Sequence, residues 1–419
     1  MRKAVITGLG VVAPGGGLGA KPFWEQITSG RSATRAVTLF DATGYRSRIA
    51  GEVDFDPVAA GLSEDQAGRL DRMIQFALVA LREALDDSGL VAAPAYPSRT
   101  GVSLGTAVGC TMGLESQYAA VSRHGRDWLV DHTLAAEQLF DYFVPSSLAR
   151  EVAWAAGAEG PSTVVSTGCT SGLDAVGHAL ELIRDGAADI VITGASDAPL
   201  SPITYACFDA LRATSPDNDD PAGACRPFDR TRNGFALGEG AAVMVLEESG
   251  HARRRGAHAY AEFAGFATRC NGYHMTGLSV DGTEMAEAIT AAMRQARVVP
   301  DDIDYVNAHG SGTRQNDLHE TAAFKRALGR AAHGVPISSI KSMIGHSLGS
   351  VGSLEIAACA LAVEHGLLPP TANLHEPDPE CDLDYIPLVA RECRTDVALT
   401  VGSGFGGFQS AAVLRRPEV

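Results

Sequence analysis

Short apolar segments alternate with amphipathic helical patterns along this chain, and the alternation occurs twice. In the first half the pattern predicts a helix at 73–87 and strands at 3–7, 100–104 and 190–193. In the second half it predicts helices at 282–296 and 349–364 and strands at 260–267, 303–308, 335–340 and 399–401. This order predicts parallel sheets covered by helices, in two α/β halves at 1–250 and 251–419. The segment 248–258 is the predicted linker.

One predicted strand-to-helix turn carries a cysteine at the point where the helix begins. The segment 163–166 is predicted to be a buried strand, and Gly168 supplies a tight turn before Cys169. One face of the following helix is marked by Leu173, Val176, Leu180 and Ile183. Unpaired N–H groups and the helix dipole favour a thiolate there, so we expect a lowered pKa and a nucleophilic Cys169. The alternative is a buried structural cysteine.

Two histidines of the second half follow predicted strands. His309 lies in VNAHGSGT at 306–313, and His346 lies in SIKSMIGHS at 339–347. Ligands of parallel α/β sheets bind at the carboxyl ends of the strands, so Cys169, His309 and His346 are expected to converge. A single histidine is more often structural or solvent-facing. Two of them in glycine-flanked loops, at the same edge as a reactive cysteine, favour a catalytic site.

Composition and charge narrow the class of protein. The 419 residues are 45% hydrophobic, and no apolar run reaches the roughly 18 residues of a membrane span. The formal net charge of −16 argues against nucleic-acid binding, which needs a basic surface. An acidic protein partner would need a local basic patch, for which Arg69, Arg72 and Arg212 are candidates. The alternative for each arginine is an ordinary solvated helix face.

The cysteines indicate a reducing compartment, and the glycine-rich run near the start of the chain argues against a dinucleotide-binding loop. None of the eight cysteines forms a CxxC pair or clusters with histidines, so neither a metal site nor a disulfide framework is predicted. The chain begins with a strand and lacks a signal-peptide pattern, so we expect reduced thiols in the cytoplasm. The glycine-rich run 8–17 follows a strand as a dinucleotide loop does, but Pro14 prevents the helix that such a loop requires.

Five motifs in one order carry a family resemblance. They are STGCTSGLD at 166–174, RPFDRTRNGFALGEGA at 226–241, NAHGSGT at 307–313, SIKSMIGHSLGSVG at 339–352 and GFGG at 404–407. Over nearly its whole length the chain resembles the elongating β-ketoacyl synthases of the thiolase superfamily. The forms STGCTSGLD and GFGGFQS are most similar to the ketosynthase alpha subunit of dissociated (type II) aromatic polyketide synthases. The resemblance implies a thiolase-like fold, with duplicated α/β halves in αβαβα layers.

The resemblance also implies a reaction, the decarboxylative Claisen condensation of malonyl units onto a thioester-bound chain. Cys169 would hold the growing acyl chain. His309 and His346 would donate hydrogen bonds to the thioester oxygen while carbon dioxide leaves. Lys341 would support His309, with Glu355 and Asp317 as carboxylates that assist it. A purely structural salt bridge is the alternative for Lys341.

A gate beside the nucleophile is implied as well. The backbone N–H groups of Cys169 and Phe405 would form an oxyanion hole, and the Phe405 ring would control access to the thiol. Glycines around Phe405 permit the loop to move. Family members commonly carry Asn-Ser-Phe before GFGG, whereas this chain has Val-Gly-Ser at 401–403.

The partners follow from the resemblance. The malonyl and poly-β-ketoacyl thioesters would arrive on the phosphopantetheine arm of an acidic acyl carrier protein, so the chain itself needs no cofactor. The family further implies a heterodimer with a chain-length factor, a homologue without the catalytic cysteine. Met112 and Leu114 match a region that lines the acyl tunnel and that interface in relatives. The alternative for this region is a glycine-rich turn in the core.

Four other functions compete with this prediction. A degradative thiolase would need a second cysteine near the C-terminal glycine loop, and no cysteine follows position 393. A starter-selecting or HMG-type synthase would use Cys-His-Asn, whereas this chain supplies His346. A non-catalytic chain-length subunit would lack the thiol of Cys169. A fatty-acid elongation synthase is the alternative within enzymes, although fatty-acid enzymes more often continue GFGG with Thr-Asn.

Overall fold

In the computed structural model, which describes residues 2–90 and 96–418, ten strands form the main sheet. We number them β1 Ala4–Val12, β2 Thr100–Gly105, β3 Ser162–Val165, β4 Ile190–Asp197, β5 Gly240–Glu248, β6 Ala261–Cys270, β7 Tyr305–Asn307, β8 Ile337–Ser338, β9 Val397–Gly404 and β10 Phe408–Arg415. Two small sheets contain the short strands Arg35–Ala36, Ile49–Gly51, Leu237–Gly238, Leu367–Leu368 and Arg391–Glu392.

The helices connect and cover these strands. Those before β6 are α1 Ala20–Thr28, α2 Glu64–Arg69, α3 Arg72–Ser88, α4 Thr111–Val121, α5 Leu139–Phe143, α6 Ser147–Ala156, α7 Ser171–Arg184, α8 Pro202–Leu211, α9 Pro221–Ala224 and α10 Ser249–Arg254. Those after β6 are α11 Thr283–Ala296, α12 Arg314–Leu328, α13 Lys341–Ile344 and α14 Val351–His365. Every helix in the described ranges is too short or too polar to cross a membrane.

The main sheet consists of two halves with the same topology. Its spatial order is β8-β7-β9-β10-β6-β1-β5-β4-β2-β3. The order 1-5-4-2-3 of the first half recurs as 6-10-9-7-8 in the second, and each half has two antiparallel pairings followed by two parallel ones. Only two residue pairs join β1 to β6. The predicted duplication of the α/β unit is confirmed by this repeated topology.

Helices lie between the two sheet halves and on both outer faces. Helices α7 and α14 pack against each other and against strands of both halves. Helix α3 covers the outside of the first half, and α11 covers the outside of the second. The side chains of α14 from Val351 to Val363 are all buried, as expected of a helix that is apolar nearly all round, and its one charged residue in this range, Glu355, forms an ion pair with Lys341. The layers are therefore αβαβα, the thiolase-like arrangement that the motifs implied.

The glycines at the start of the chain serve packing. A Cβ at Gly8 would lie 2.2 Å from the carbonyl oxygen of Ala84, and one at Gly10 would lie 1.8 Å from that of Ala80. Both carbonyls belong to α3. Glycine at these positions lets α3 approach β1 closely, which explains the glycine-rich run without any nucleotide.

Several predicted elements differ from the observed ones. The sheet is mixed, because the strands β5 and β10, absent from the prediction, run antiparallel to their neighbours. The strand β3 lies at the sheet edge and is half-exposed in the single chain, where a buried strand was expected. The helix predicted at 73–87 is α3, which Asp71 caps, and the separate short helix α2 precedes it without having been predicted. The predicted linker 248–258 contains the short helix α10.

Candidate active site

A cavity of about 360 Å³ is lined by residues from both halves of the fold. It contains Cys169, His309, His346 and Phe405. Cys169 lies in the turn between β3 and α7, and His346 lies in the equivalent connection of the second half, between β8 and α14. The duplication thus places the thiol and one imidazole in corresponding turns that face the same cavity. The structure therefore brings Cys169, His309 and His346 together, as the sequence predicts.

Local hydrogen bonds fix the turn that carries Cys169. Gly168 has a φ of 62°, a left-handed conformation that glycine adopts without strain. The backbone N–H of Thr167 donates to Ser171 Oγ at 3.0 Å, and Ser171 Oγ donates to the Gly168 carbonyl at 2.6 Å. A single 3₁₀ turn, Gly168–Thr170, then leads into α7. These bonds present Cys169 at the start of the helix, as its sequence pattern predicts.

The pKa of the Cys169 thiol is raised, whereas the helix terminus alone would lower it. Burial raises it to about 12, while the positive charge of Lys341 and the N–H of Phe405 lower it by less. The expected lowering by the helix dipole is therefore wrong for the free chain, because desolvation of a thiolate outweighs it. The thiol of the free chain is therefore neutral at physiological pH.

His346 is held in one tautomer. Its backbone N–H donates to the Ala236 carbonyl at 2.8 Å, and its own carbonyl accepts from Gly238 N–H at 2.9 Å. The backbone N–H of Leu348 donates to His346 Nδ1 at 3.1 Å. Nδ1 is therefore an acceptor, so the proton of the neutral ring is assigned to Nε2. The ring stands 5.2 Å from that of His309, centroid to centroid, at 79°.

His309 is positioned through its backbone. Its N–H donates to Glu320 Oε1 at 2.5 Å, and the next N–H, of Gly310, donates to Glu320 Oε2 at 2.8 Å. Its carbonyl accepts from the ammonium of Lys341 at 2.5 Å. The side chains of Glu320 and Lys341 thus hold the two sides of one peptide segment, which fixes where the imidazole enters the cavity.

Both imidazoles are neutral at physiological pH. Burial lowers the pKa of His309 and of His346 well below the ordinary histidine value, and the charge of Lys341 lowers both further. A neutral imidazole can donate one N–H to a substrate oxygen without being a strong acid. The pair can therefore stabilise negative charge on a carbonyl oxygen, as an enolate requires.

Lys341 forms a fully buried ion pair with Glu355. Both side chains are completely inaccessible, and neither lines the cavity. Burial raises the pKa of Glu355 to about 7, and Lys341 opposes that rise. Sequence reasoning paired these two residues correctly and linked Lys341 to His309, which the structure does through the His309 carbonyl.

The prediction that Asp317 assists Lys341 is wrong: within residues 2–90 and 96–418 its hydrogen bonds and ion pair do not include Lys341 or either imidazole. It accepts from the N–H groups of Phe228 at 2.9 Å and Gly312 at 3.2 Å, and it faces the guanidinium of Arg232 at 3.1 Å. It therefore holds the loop after His309 in place. The sequence prediction did not include Glu320, three residues after Asp317 on α12, because its partners, the N–H groups of His309 and Gly310, lie outside that helix.

The Phe405 segment closes one side of the cavity. The backbone N–H of Phe405 lies within hydrogen-bond reach of the Cys169 sulfur, and its half-exposed ring stands 6.3 Å from that of Phe208. The next residue, Gly406, donates to the Met275 carbonyl at 2.7 Å. Behind the ring, Gln409 Nε2 donates to Ser403 Oγ at 3.0 Å. Ser403, at the position where the sequence departs from the family pattern, thus contributes a hydroxyl that is bonded within its own hairpin.

Comparison with known sequences identifies the family. The model described as "Beta-ketoacyl synthase, N-terminal domain" matches residues 1–252, and "Beta-ketoacyl synthase, C-terminal domain" matches 260–375. The chain belongs to the β-ketoacyl synthase family. This membership confirms the enzyme class predicted from the motifs, a synthase that transfers acyl groups.

Individual relatives of this β-ketoacyl synthase are similar over their full length. The tetracenomycin polyketide synthase ketoacyl synthase alpha subunit of Streptomyces glaucescens is 70% identical over 417 residues, covering 100% of this chain and 98% of that protein. A type II PKS acyl-carrier protein in complex with its ketosynthase (AntDE:AntF), bound to the hexaketide, matches with a TM-score of 0.92 and 39% identity, covering 100% of both chains. The ishigamide ketosynthase/chain length factor matches with 0.91 and 32%, also over 100% of both.

The three arginines predicted to dock a partner differ in their surroundings. Arg72 donates to Glu239 at 2.7 and 2.9 Å, and its guanidinium lies 5.5 Å from the ring centroid of Phe55 and 4.7 Å from that of Phe76. Arg69 makes a bidentate pair with the buried Glu151, at 2.9 and 3.0 Å. Arg212 is exposed and lines the cavity.

Met112 and Leu114, predicted to line the acyl tunnel, are half-exposed residues of the first turn of α4. Neither lines the cavity of the single chain.

Residues 2–90 and 96–418 contain no group of three or more His, Cys, Asp or Glu side chains placed to bind a metal ion.

Proposed function

We propose that this β-ketoacyl synthase is the ketosynthase alpha subunit of a type II aromatic polyketide synthase, which extends a Cys169-bound acyl chain with malonyl units. The observation that carries the proposal is one cavity that holds a thiol and two neutral imidazoles. Cys169 belongs to the half 1–250, and His309 and His346 belong to the half 251–419. The two halves thus form one catalytic unit in this proposal. The identity of 70% to the tetracenomycin subunit supports the choice of reaction.

In the first step the acyl chain moves to Cys169. The sulfur attacks the thioester carbonyl on the carrier protein, a C–S bond to Cys169 forms, and the C–S bond to the pantetheine arm breaks. The proton of the Cys169 thiol leaves with the departing arm as its thiol. The N–H groups of Cys169 and Phe405 stabilise the oxyanion formed in between, and the Phe405 N–H lies within hydrogen-bond reach of the sulfur.

In the second step the malonyl thioester loses carbon dioxide. The C–C bond to the carboxylate breaks, and its electrons form an enolate whose oxygen accepts hydrogen bonds from His309 and from Nε2–H of His346. The enolate carbon then attacks the Cys169-bound acyl carbonyl. A C–C bond forms, the C–S bond to Cys169 breaks, and the thiolate that leaves takes up a proton from solvent water. Lys341 and Glu355 hold this geometry through the His309 backbone.

The acyl groups reach the cavity on an acyl carrier protein. The related AntDE:AntF structure holds such a protein with its ketosynthase, which supports the same partner here. Arg212 is the favoured docking residue, because it is exposed at the cavity and forms no ion pair within the described ranges. Arg72 is committed to Glu239, and Arg69 to Glu151, so both contribute less to docking in this proposal.

The second partner is a chain-length factor. Within residues 2–90 and 96–418 the strand β3 pairs on one side only, and its half-exposed outer edge is one that another strand or subunit could cover. The region between β2 and β3 exposes large apolar side chains, including Trp128, Leu129, Phe143 and Trp154. Such surfaces mark protein interfaces, and the ishigamide ketosynthase/chain length factor supports this partner. Met112 and Leu114 on α4 would lie beside this interface and line the acyl tunnel.

The reaction also fits a location in the cytoplasm. All eight cysteines are free in the structure, and the nucleophile requires that Cys169 stay reduced. The cofactor of the reaction, phosphopantetheine, belongs to the carrier protein.

Intact-protein mass spectrometry tests the proposed function. The chain is co-expressed with a chain-length partner, incubated with malonyl carrier protein, and digested to map any adduct. An acyl adduct on Cys169 that requires the partner is the expected result. Acylation of the lone chain by a saturated acyl carrier protein would favour fatty-acid elongation instead, and no adduct at Cys169 in either case would contradict catalysis by this thiol.

A further inference from the structure

The proposed oxyanion hole is divided between two separate segments. One N–H belongs to Cys169, in the turn between β3 and α7, and the other belongs to Phe405, in the hairpin of β9 and β10. Donors of this kind work only when they are held within about 0.5 Å of the productive geometry. The relative position of the turn and the hairpin therefore decides whether the hole is complete.

The two segments lie in direct backbone contact. A Cβ at Gly404 would lie 3.1 Å from the Thr167 carbonyl oxygen and 3.4 Å from the Cys169 nitrogen. A Cβ at Gly402 would lie 3.3 Å from a methyl group of Thr170. This close packing sets how near the segments approach, but van der Waals contact alone does not prevent them from sliding past one another.

One carboxylate bonds to both segments. Asp174 Oδ2 accepts from Thr167 Oγ1 at 2.5 Å and from Thr170 Oγ1 at 3.0 Å, the residues two before and one after Cys169. Asp174 Oδ1 accepts from Ser410 Oγ, on β10, at 2.5 Å. Asp174 is buried and does not line the cavity, so this carboxylate does not meet the substrate directly.

We propose that Asp174 is a positioning residue that holds the nucleophile turn against the gate hairpin and so keeps the two N–H groups of the oxyanion hole aligned. This inference rests on the proposed function, because it presupposes that Cys169 is acylated. A carboxylate suits the task, since its two oxygens accept three hydroxyl hydrogen bonds at once and such bonds to a charged acceptor are strong. Its place in the first turn of α7 favours the negative charge.

The test compares two reactions of Cys169 in the heterodimer with a co-expressed chain-length partner. Acylation by an acetyl thioester of the carrier protein forms an oxyanion, whereas alkylation by iodoacetamide does not. We expect Ser410→Ala, which removes the bond to the hairpin, to lower kcat for acylation roughly tenfold with an unchanged KM. Alkylation of Cys169 forms no oxyanion and should therefore fall much less than acylation, although the Phe405 N–H also lowers the pKa of the thiol. A general disruption of the turn would slow both reactions alike.

Two further variants complete the experiment. Asp174→Asn keeps the shape of the side chain but weakens its hydrogen bonds to the three hydroxyl groups, so it should also slow acylation. If Ser410→Ala fails to fold, the Asp174→Asn variant alone tests the positioning role. Thr268→Val removes the other hydroxyl near Ser410 Oγ, at 3.4 Å, and should acylate like the wild type. Wild-type acylation in both Ser410→Ala and Asp174→Asn, or an equal fall of acylation and alkylation, would overturn the positioning role. A wild-type heterodimer that is never acylated at Cys169 would overturn the proposed function instead.

Discussion

The backbone N–H of Leu348 donates to Nδ1 of His346 at 3.1 Å, and this bond decides which nitrogen of the ring faces the substrate as a donor. Leu348 adopts a φ of 52°, an uncommon conformation for a leucine, in the short turn before α14. The turn therefore carries backbone strain at the place where it orients the imidazole. Because the buried ring is neutral, its Nε2–H is available to an enolate oxygen throughout the physiological pH range.

Replacing this imidazole separates the two steps of the reaction. We expect His346→Ala to slow the release of carbon dioxide from malonyl carrier protein by about 10²- to 10³-fold, because one donor to the enolate is lost. Acylation of Cys169 should be retained, since its oxyanion hole consists of backbone N–H groups. Radiolabelled carbon dioxide and the Cys169 adduct can be measured on the same sample. Equal losses in both would contradict the assignment of His346 to the enolate.

The raised pKa of Cys169 predicts a specific pH dependence. Only the thiolate reacts with iodoacetamide, and burial raises the pKa of this thiol to about 12. The rate constant for Cys169 alkylation should therefore rise about tenfold per pH unit from pH 6 to pH 10, without a plateau. Peptide mapping distinguishes Cys169 from the exposed Cys207 and Cys270, and Cys169→Ser gives the background. A plateau near neutral pH would mean that the helix terminus dominates after all.

The buried pair of Lys341 and Glu355 predicts a large loss of stability when one partner is removed. Lys341→Met leaves Glu355 uncompensated, and we expect the free energy of unfolding to fall by about 3–5 kcal/mol. Adding Glu355→Gln removes the orphaned charge and should restore most of that loss. Urea denaturation of the single and double variants measures both values. A single variant as stable as the wild type would mean that the pair contributes little to the fold.

Arg72 and Arg212 should respond differently to substitution. Arg72→Ala leaves the buried Glu239 without its partner, so we expect a loss of about 3–5 kcal/mol in the free energy of unfolding. Arg212→Glu should leave stability unchanged and lower kcat/KM for the carrier-protein substrate roughly tenfold, with a small acyl thioester unaffected. Thermal unfolding and transfer assays with both donors measure these effects. Equal losses with the two donors would remove Arg212 from the docking surface.

The sequence predicted where Cys169, His309 and His346 lie better than it predicted the sheet. Cys169, His309 and His346 follow strand ends with glycines beside them, and that local pattern suffices to place them at one edge. The strands β5 and β10 were missed, and their antiparallel direction depends on long-range pairing that no local pattern records. The pKa of Cys169 was predicted in the wrong direction, because desolvation depends on tertiary burial. Asp174 and Glu320 were missed as supports for the same reason, since their partners lie on other segments.

Decarboxylation by a Cys169→Ala variant is the measurement that tests the proposed mechanism most directly. The variant, with its chain-length partner and malonyl carrier protein, should form no carbon–carbon bond, because no acyl chain can be held. It should still release carbon dioxide, because the enolate site of His309 and His346 is intact. Adding His346→Ala to it should remove most of that release. Full condensing activity in Cys169→Ala would contradict the assignment of the nucleophile and with it the mechanism.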